Sequence, residues 1–186
     1  MKKSILVPTI ALFVICLVAT TLLAFANSVT APIIEELAVK TEMESRKKVL
    51  TLAEEFTDES SNGVSYALGV DKDGKEIGMV FTTTAKSYGG EILVMTGVDM
   101  EGKVTGVELL SINDTAGLGM NATKPEFKDQ FLGLVNGVKV MKNSSNHDNN
   151  EITALTGATI TSQAVADAVN AALSDFESVT GKAGAN

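Results

Sequence analysis

The segment LTGATITSQAV, residues 155–165, concentrates side chains that can do chemistry. Four hydroxyls lie within seven residues, and they belong to Thr156, Thr159, Thr161 and Ser162. A hydroxyl can donate a hydrogen bond to a phosphate oxygen, or it can itself be esterified by phosphate. Gly157 and Ala158 are small, so a bulky ligand can approach the backbone between the threonines. The segment therefore indicates either a phosphate site or an ordinary helix start.

The elements around this segment are a short strand before it and an amphipathic helix after it. EITAL, 151–155, is β-like, and from Ser162 onward apolar residues recur at i, i+3 and i+4 until Gly181. We expect Thr161 or Ser162 as the N-cap of this helix. A helix N-terminus offers unpaired N–H groups and the positive end of the macrodipole, which together favour an anion.

The charge of the segment favours one kind of phosphate. Residues 143–171 contain no Lys or Arg. A free phosphomonoester carries about two negative charges, whereas a phosphodiester, formed when a threonine hydroxyl is esterified, carries one and suits this site better. The alternative is that the hydroxyls only cap a strand-to-helix turn, and local physics leaves both possibilities open.

Residues 64–110 predict the sheet on which this helix packs. Asp-Gly and Glu-Gly turns separate β-rich runs, and VDKDGK at 70–75 is echoed by VDMEGK at 98–103. We expect antiparallel hairpins here, a short helix beginning at Pro125 and a strand within 137–141. The fold class predicted is α+β, an antiparallel sheet packed with helices.

An uncharged run, residues 5–26, precedes the domain. Twenty-two helical residues span about 33 Å, enough for a hydrocarbon core of about 30 Å. Lys2 and Lys3 place the N-terminus in the cytoplasm by the positive-inside rule and the rest outside. A cleaved signal peptide is the alternative, because Ala24-Phe25-Ala26 resembles a cleavage site. We expect a transmembrane anchor at 1–27, a helical connector at 28–60 and the main domain at 61–186.

The composition excludes several functions for the exported part. Residues 27–186 hold 13 basic and 23 acidic side chains, a balance of −10, which argues against nucleic acid as a partner. The single cysteine, Cys16, lies in the apolar run, so the domain has no disulfide and no cysteine-ligated metal. His147 stands alone in a polar loop, and we expect no metal site.

Three stretches together resemble the FMN-binding domain family. TGAT, 156–159, is similar to the family's flavinylation motif, and SYGG, 87–90, and DTAGLG, 114–119, are similar to its glycine-rich loops. With the single anchor, the whole chain resembles G subunits of Rnf-type ion-translocating ferredoxin:NAD oxidoreductases. The chain has Thr153 where the motif often has Asp, and Asp114 and Ala116 where the loop usually has Glu and Pro. The first departure bears on recognition by the attaching enzyme, and the second on loop rigidity.

The resemblance implies an electron-transfer subunit of a translocase. FMN would be esterified through its phosphate to Thr159 by a separate flavin transferase, and the partners would be other subunits of the membrane complex. It implies no catalytic residue in turnover. The implied cofactor contacts are Tyr88, Gly89, Gly90, Thr115, Gly117, Leu118, Gly119, Thr156, Gly157, Ala158 and Thr161. The alternatives are a subunit of the related quinone reductase, a stand-alone extracytoplasmic flavin reductase, and a cofactor-free anchored binding module.

Overall fold

The computed structural model describes residues 2–143 and 145–181, without side chains for residues 2–7, 33, 35 and 36. Helix α1, Lys2–Val49, opens the chain. In the described residues one helical stretch, Pro8–Val49, is long and apolar enough to cross a membrane, with a mean hydropathy of 2.5 over its most apolar window. The chain divides into two compact units, residues 1–43 and 44–186.

The second unit is built on a five-stranded antiparallel sheet in which each strand pairs with the next along the chain. Its strands are β1, Glu55–Ser61; β2, Val64–Val70; β3, Glu76–Ser87; β4, Gly90–Asp99; and β5, Val104–Ser111. Helix α3, Thr159–Thr180, packs on β3 and β4. The predicted α+β class is confirmed.

The expected hairpins are present and share one turn chemistry. Asp71 Oδ1 accepts the N–H groups of Asp73 and Lys75, both at 2.9 Å. Asp99 Oδ1 likewise accepts the N–H groups of Glu101 and Lys103, at 3.0 and 2.8 Å. A carboxylate that accepts two backbone N–H groups stabilises a tight turn, so the sequence echo reflects one repeated hydrogen-bonding solution.

Beyond the sheet, the described residues of this unit form three short 3₁₀ helices, a short helix and two strands. The 3₁₀ helices are Gly119–Thr123, Asp129–Phe131 and His147–Asn149; helix α2 is Pro125–Lys128; strand β6 is Lys139–Met141 and β7 is Glu151–Thr153. Strands β6 and β7 pair in parallel. This pair forms a separate two-stranded sheet, and the antiparallel sheet predicted from residues 64–110 is the five-stranded one.

The helical connector predicted for 28–60 is wrong over its last part. Helix α1 ends at Val49, and Glu55–Ser61 is strand β1, paired with β2 over its full length. The apolar spacing of Val49, Ala53 and Phe56 suggested a helix, but the pairing with β2 decides the conformation. The boundaries at residues 27 and 60 stay predictions, and 182–186 lie outside the described residues.

Two apolar clusters lie on opposite faces of the sheet. The larger cluster packs α3 against β2–β5 and centres on Phe81, Val94, Leu173 and Phe176. The smaller cluster joins residues after α1, Leu50 and Ala53, to the alternate side chains of the strands. Because side chains alternate across a strand, one sheet supports both clusters, and the larger one fixes the start of α3 against the sheet.

Candidate functional site

Asp114 lies where three segments distant in sequence converge. Its Oδ2 accepts hydrogen bonds from Ser87 Oγ and Thr161 Oγ1, each at 2.5 Å. Its Oδ1 accepts the N–H of Gly89 at 2.6 Å. The residue is only 6% exposed. The carboxylate therefore ties together the β3–β4 turn, the loop after β5 and the first turn of α3.

The protonation state of Asp114 follows from its surroundings. Burial raises the pKa of the carboxyl, but the hydrogen bonds from Ser87, Thr161 and Gly89 outweigh burial and hold the pKa below its ordinary value of 3.8. Hydrogen bonds donated to a carboxylate stabilise its charged form. Asp114 is therefore an anion near neutral pH.

Two glycines allow the three segments to come this close. A Cβ on Gly89 would lie 2.2 Å from the carbonyl oxygen of Asn113. A Cβ on Gly119 would lie 2.6 Å from both Asp114 Cβ and Thr161 Oγ1. Neither distance is compatible with a side chain, so glycine is required at both positions for packing.

A cleft of about 490 Å³ opens beside this junction, a size typical of small-molecule sites. It is lined by Tyr88, Asp114, Thr115, Leu118, Gly119, Gly157, Ala158, Thr159, Ile160 and Thr161. Tyr88, Leu118 and Ile160 are 73%, 44% and 57% exposed. Apolar and aromatic side chains held open to solvent around a cleft suit a flat aromatic ligand.

The N-terminus of α3 forms the polar part of the same cleft. The helix begins at Thr159, and the N–H of Ser162 makes its first-turn bond to the carbonyl of Ala158 at 3.0 Å. The three N–H groups before it have no carbonyl to reach within the helix. Thr159 is exposed, and its hydroxyl makes no hydrogen bond within the described residues. A phosphate at this position would meet backbone donors and a free hydroxyl.

The N-cap prediction is wrong. The residue before the helix is Ala158, which caps nothing with its side chain, and the helix starts at Thr159 rather than after Thr161. The Thr161 hydroxyl donates to Asp114 instead. Ser162 Oγ donates to the carbonyl of Ala158 at 3.0 Å and accepts the N–H of Leu155 at 2.9 Å. Both side chains hold the turn together from inside.

The structure brings most of the predicted contacts to one place. Those that line the cleft are Tyr88, Thr115, Leu118, Gly119, Gly157, Ala158, Thr159 and Thr161. Gly89, Gly90, Gly117 and Thr156 lie in the adjoining turns rather than in the lining. Thr161 was expected to contact the cofactor phosphate. Its side chain is 1% exposed and its hydroxyl already donates to Asp114, so the hydroxyl is not available to a phosphate.

Sequence reasoning missed three residues of the site: Ser87, Asp114 and Ile160. Asp114 directly precedes the TAGLG loop and Ser87 begins SYGG, so both stood inside recognised motifs. Their contact spans 27 positions of sequence, which no local pattern reveals. In the described residues no group of three or more His, Cys, Asp or Glu side chains is arranged to hold a metal ion.

Comparison with known proteins agrees with this geometry. The family model of the FMN-binding domain matches residues 87–174, a range that includes every residue lining the cleft. Its first and last parts coincide with the SYGG turn and α3. The residues present fit a flavin nucleotide, because one cleft offers exposed apolar side chains and helix N–H groups.

Several curated relatives match almost the whole chain, and two of them illustrate the similarity. The G subunit of the Na(+)-translocating ferredoxin:NAD(+) oxidoreductase complex of Acetobacterium woodii is 35% identical, over 91% of this chain and 90% of that protein. The G subunit of the proton-translocating ferredoxin:NAD(+) oxidoreductase complex of Clostridium ljungdahlii is 32% identical, over 97% and 96%.

Solved structures share the fold, as two examples show. The C subunit of the Na(+)-translocating NADH-quinone reductase of Parabacteroides distasonis has a TM-score of 0.51 at 24% identity, covering 60% of this chain and 61% of that one. The NqrC of Shewanella oneidensis has a TM-score of 0.54 at 16% identity, covering 70% and 73%. At these identities the likeness concerns the fold alone.

Proposed function

The chain belongs to the family of G subunits of ion-translocating ferredoxin:NAD oxidoreductase complexes, and on that premise we propose that it passes electrons through an FMN held covalently at Thr159. The resemblance inferred from the SYGG, TAGLG and TGAT loops is confirmed by the relatives. The chain carries an FMN-binding domain and is a subunit of an oxidoreductase. Covalent attachment, its position and the orientation in the membrane are the proposed part.

The observation that carries the proposal is the position of the Thr159 hydroxyl. It stands at the first residue of α3, exposed, in the lining of the cleft. Among the four hydroxyls of 155–165, those of Thr161 and Ser162 are buried and bonded to Asp114 and Ala158. Thr156 is exposed but lies outside the lining. Thr159 alone among them combines exposure with a place in the cleft.

The attachment step needs little from this chain. The Thr159 Oγ1 would form a phosphodiester with the flavin-side phosphorus of FAD as the pyrophosphate bond breaks, AMP leaves and the hydroxyl proton is lost. A separate flavin transferase would supply the catalysis. The N–H groups at the start of α3 would then hold the singly charged phosphate, which suits a lining without Lys or Arg.

Once bound, the flavin supplies the one-electron and two-electron chemistry, and the protein supplies position and charge. Tyr88, Leu118 and Ile160 would cover the ring system with apolar surface. A covalent tether would prevent loss of the cofactor from a domain outside the cytoplasm. The helix α1 has no basic or acidic residue between Lys3 and Glu35, so it offers no ion path, and ion movement would belong to other subunits.

The test is flavin fluorescence on a denaturing gel, after co-expression of the chain with a flavin transferase. We expect a fluorescent band for the wild type and for Thr159→Ser, and none for Thr159→Ala. Thr57→Ala is the matched control, because it removes an exposed threonine hydroxyl in β1, outside both the TGAT motif and the cleft lining, and it should stay fluorescent. A fluorescent Thr159→Ala, or a dark wild type beside a transferase substrate that is labelled, would contradict the assignment.

A further inference from the structure

The charge in the cleft comes from one residue. Of the ten residues that line it, Asp114 alone carries a formal charge, and no ion pair joins it to a Lys or Arg in the described part of the chain. Its anion is partly compensated by three hydrogen bonds, two from hydroxyls and one from a backbone N–H. A ligand in the cleft therefore lies next to a single fixed negative charge.

A fixed anion changes the energy of adding an electron to a nearby group. Charge interactions are several times stronger near a partly buried site than in water. Adding negative charge to a ligand beside Asp114 is therefore unfavourable, which lowers the ligand's reduction potential. Hydrogen bonds donated to the carboxylate disperse its charge and reduce this effect.

The same carboxylate fixes the shape of the site. It joins the turn that holds Tyr88, the loop that holds Leu118 and the helix start that holds Thr159, by the bonds of its two oxygens. Each of these side chains lines the cleft. A substitution that removes the charge of Asp114, and one that removes a hydrogen bond but keeps the charge, would separate the electrostatic effect from the effect on the shape of the cleft.

We propose that Asp114 is a positioning residue of the flavin cleft, and that its charge sets a low reduction potential for the FMN bound there. The inference deepens the proposed function and rests on FMN occupying this cleft. It does not need the bond to Thr159, because the charge would act equally on FMN bound without a covalent link.

The test is a spectroelectrochemical titration of the full chain in detergent, loaded with FMN, at neutral pH. Loading and the melting temperature are measured first, so that potentials are compared at equal occupancy. Asp114→Asn should shift the potential to more positive values. Asp71→Asn is the matched control, since it removes the same charge from a carboxylate that also accepts backbone N–H groups, in the β2–β3 turn; it should leave the potential unchanged.

Ser87→Ala should shift the reduction potential of the bound FMN in the opposite direction. It removes one donor and leaves the Asp114 charge in place, so the charge is less dispersed and the potential should become more negative. If Asp114→Asn does not fold or load, this variant decides alone. A potential unchanged in the loaded Asp114→Asn, or a positive shift or none in Ser87→Ala, would overturn the proposal.

The outcome is separable from that of the covalent attachment. A wild-type chain that binds FMN without a covalent bond would contradict attachment at Thr159, and its potential would still be measured on the bound flavin. Opposite shifts in Asp114→Asn and Ser87→Ala would then support the role of Asp114 by themselves.

Discussion

Asp114 shows how much of this site depends on a single side chain. The carboxylate accepts three hydrogen bonds from residues 27, 25 and 47 positions away and is almost fully buried. Each bond to an ionised acceptor contributes about 1.5–3 kcal/mol to stability, and removal of the carboxylate leaves buried donors without a partner. The residue that shapes the cleft is therefore also a stabilising one.

The pH dependence of stability should reveal this residue. The pKa of Asp114 is lower in the folded chain than in the unfolded chain, so its contribution is present above the unfolded value of about 4 and is lost as the pH falls through the folded value. The amide of Asp114→Asn keeps one acceptor oxygen, so we expect this variant to lose about 1–3 kcal/mol of unfolding free energy at pH 7, roughly the contribution of one hydrogen bond to the carboxylate. This difference from the wild type should narrow below pH ~4, where the wild-type carboxylate becomes protonated. Urea unfolding of residues 44–186, followed across pH for both proteins, measures this difference in unfolding free energy. A difference that does not depend on pH would contradict the stabilising role of the Asp114 carboxylate.

Gly89 gives a steric prediction at the same scale. Its Cβ would meet the carbonyl oxygen of Asn113 at 2.2 Å, so Gly89→Ala must displace the loop that carries Asp114. We expect a loss of about 2–4 kcal/mol together with reduced FMN loading. Gly117→Ala is the matched comparison: its Cβ meets nothing within 4 Å, and only its φ of +78° is unfavourable. Gly117→Ala should lower the unfolding free energy by about 1–2 kcal/mol. Equal losses in Gly89→Ala and Gly117→Ala would show that the close approach of Gly89 to Asn113 is unimportant.

At the scale of elements, a pair of glycines forms a seat for the end of α1. Gly97 of β4 and Gly106 of β5 are directly paired. A Cβ at Gly97 would lie 2.2 Å from the carbonyl oxygen of Val49, and a Cβ at Gly106 would lie 2.6 Å from Val49 Cα. Thr105 Oγ1 donates to the same carbonyl at 2.6 Å. The backbone at Val49 thus lies directly against the sheet of the same unit.

Gly97→Ala should disrupt this seat. The clash is with backbone, which cannot rotate away, so we expect a loss of about 2–4 kcal/mol and faster amide exchange at residues 45–50. Thr105→Val removes only the hydrogen bond to Val49 and should cost about 1 kcal/mol. Hydrogen exchange and thermal unfolding measure both variants. A Gly97→Ala protein as stable as the Thr105→Val protein would argue against the seat.

The elements differ in how far the sequence predicts them. The hairpins at 71–75 and 99–103 follow from an Asp that accepts N–H groups within its own turn, so the information is local. Strand β1 was missed because its conformation depends on pairing with β2, although Asn62-Gly63, both with positive φ, is a hairpin signal. The Asp114 junction could not be predicted, because its three donors come from separate segments.

At the scale of the whole molecule, an apolar helix accompanies an acidic domain. The stretch Pro8–Val49 is long and apolar enough to span a membrane, and residues 27–186 carry a balance of −10. The relatives are subunits of ion-translocating complexes, which supports a membrane location. The orientation, with the flavin domain outside the cytoplasm, rests on Lys2 and Lys3 and stays a prediction.

Fractionation of cells tests the anchor. The full chain should remain in the membrane pellet after a carbonate wash, because about 20 apolar helical residues suffice to span a bilayer. Residues 44–186, which form a separate compact unit, should be found in the soluble fraction. An intact mass that includes residues 1–26 would also exclude a cleaved signal peptide. Release of the full chain by the wash would contradict the anchor.

The most direct test of the central claim is the mass of one tryptic peptide. The tryptic peptide 143–182 follows Lys142 and ends at Lys182, and it has no internal Lys or Arg. Trypsin therefore releases the four hydroxyls of residues 155–165 in one peptide. For protein made with a flavin transferase, we predict a gain equal to FMN less one water, localised by fragmentation to Thr159. An unmodified peptide, under conditions that label a known substrate of the transferase, would contradict covalent attachment, and a gain at Thr156 would contradict its position.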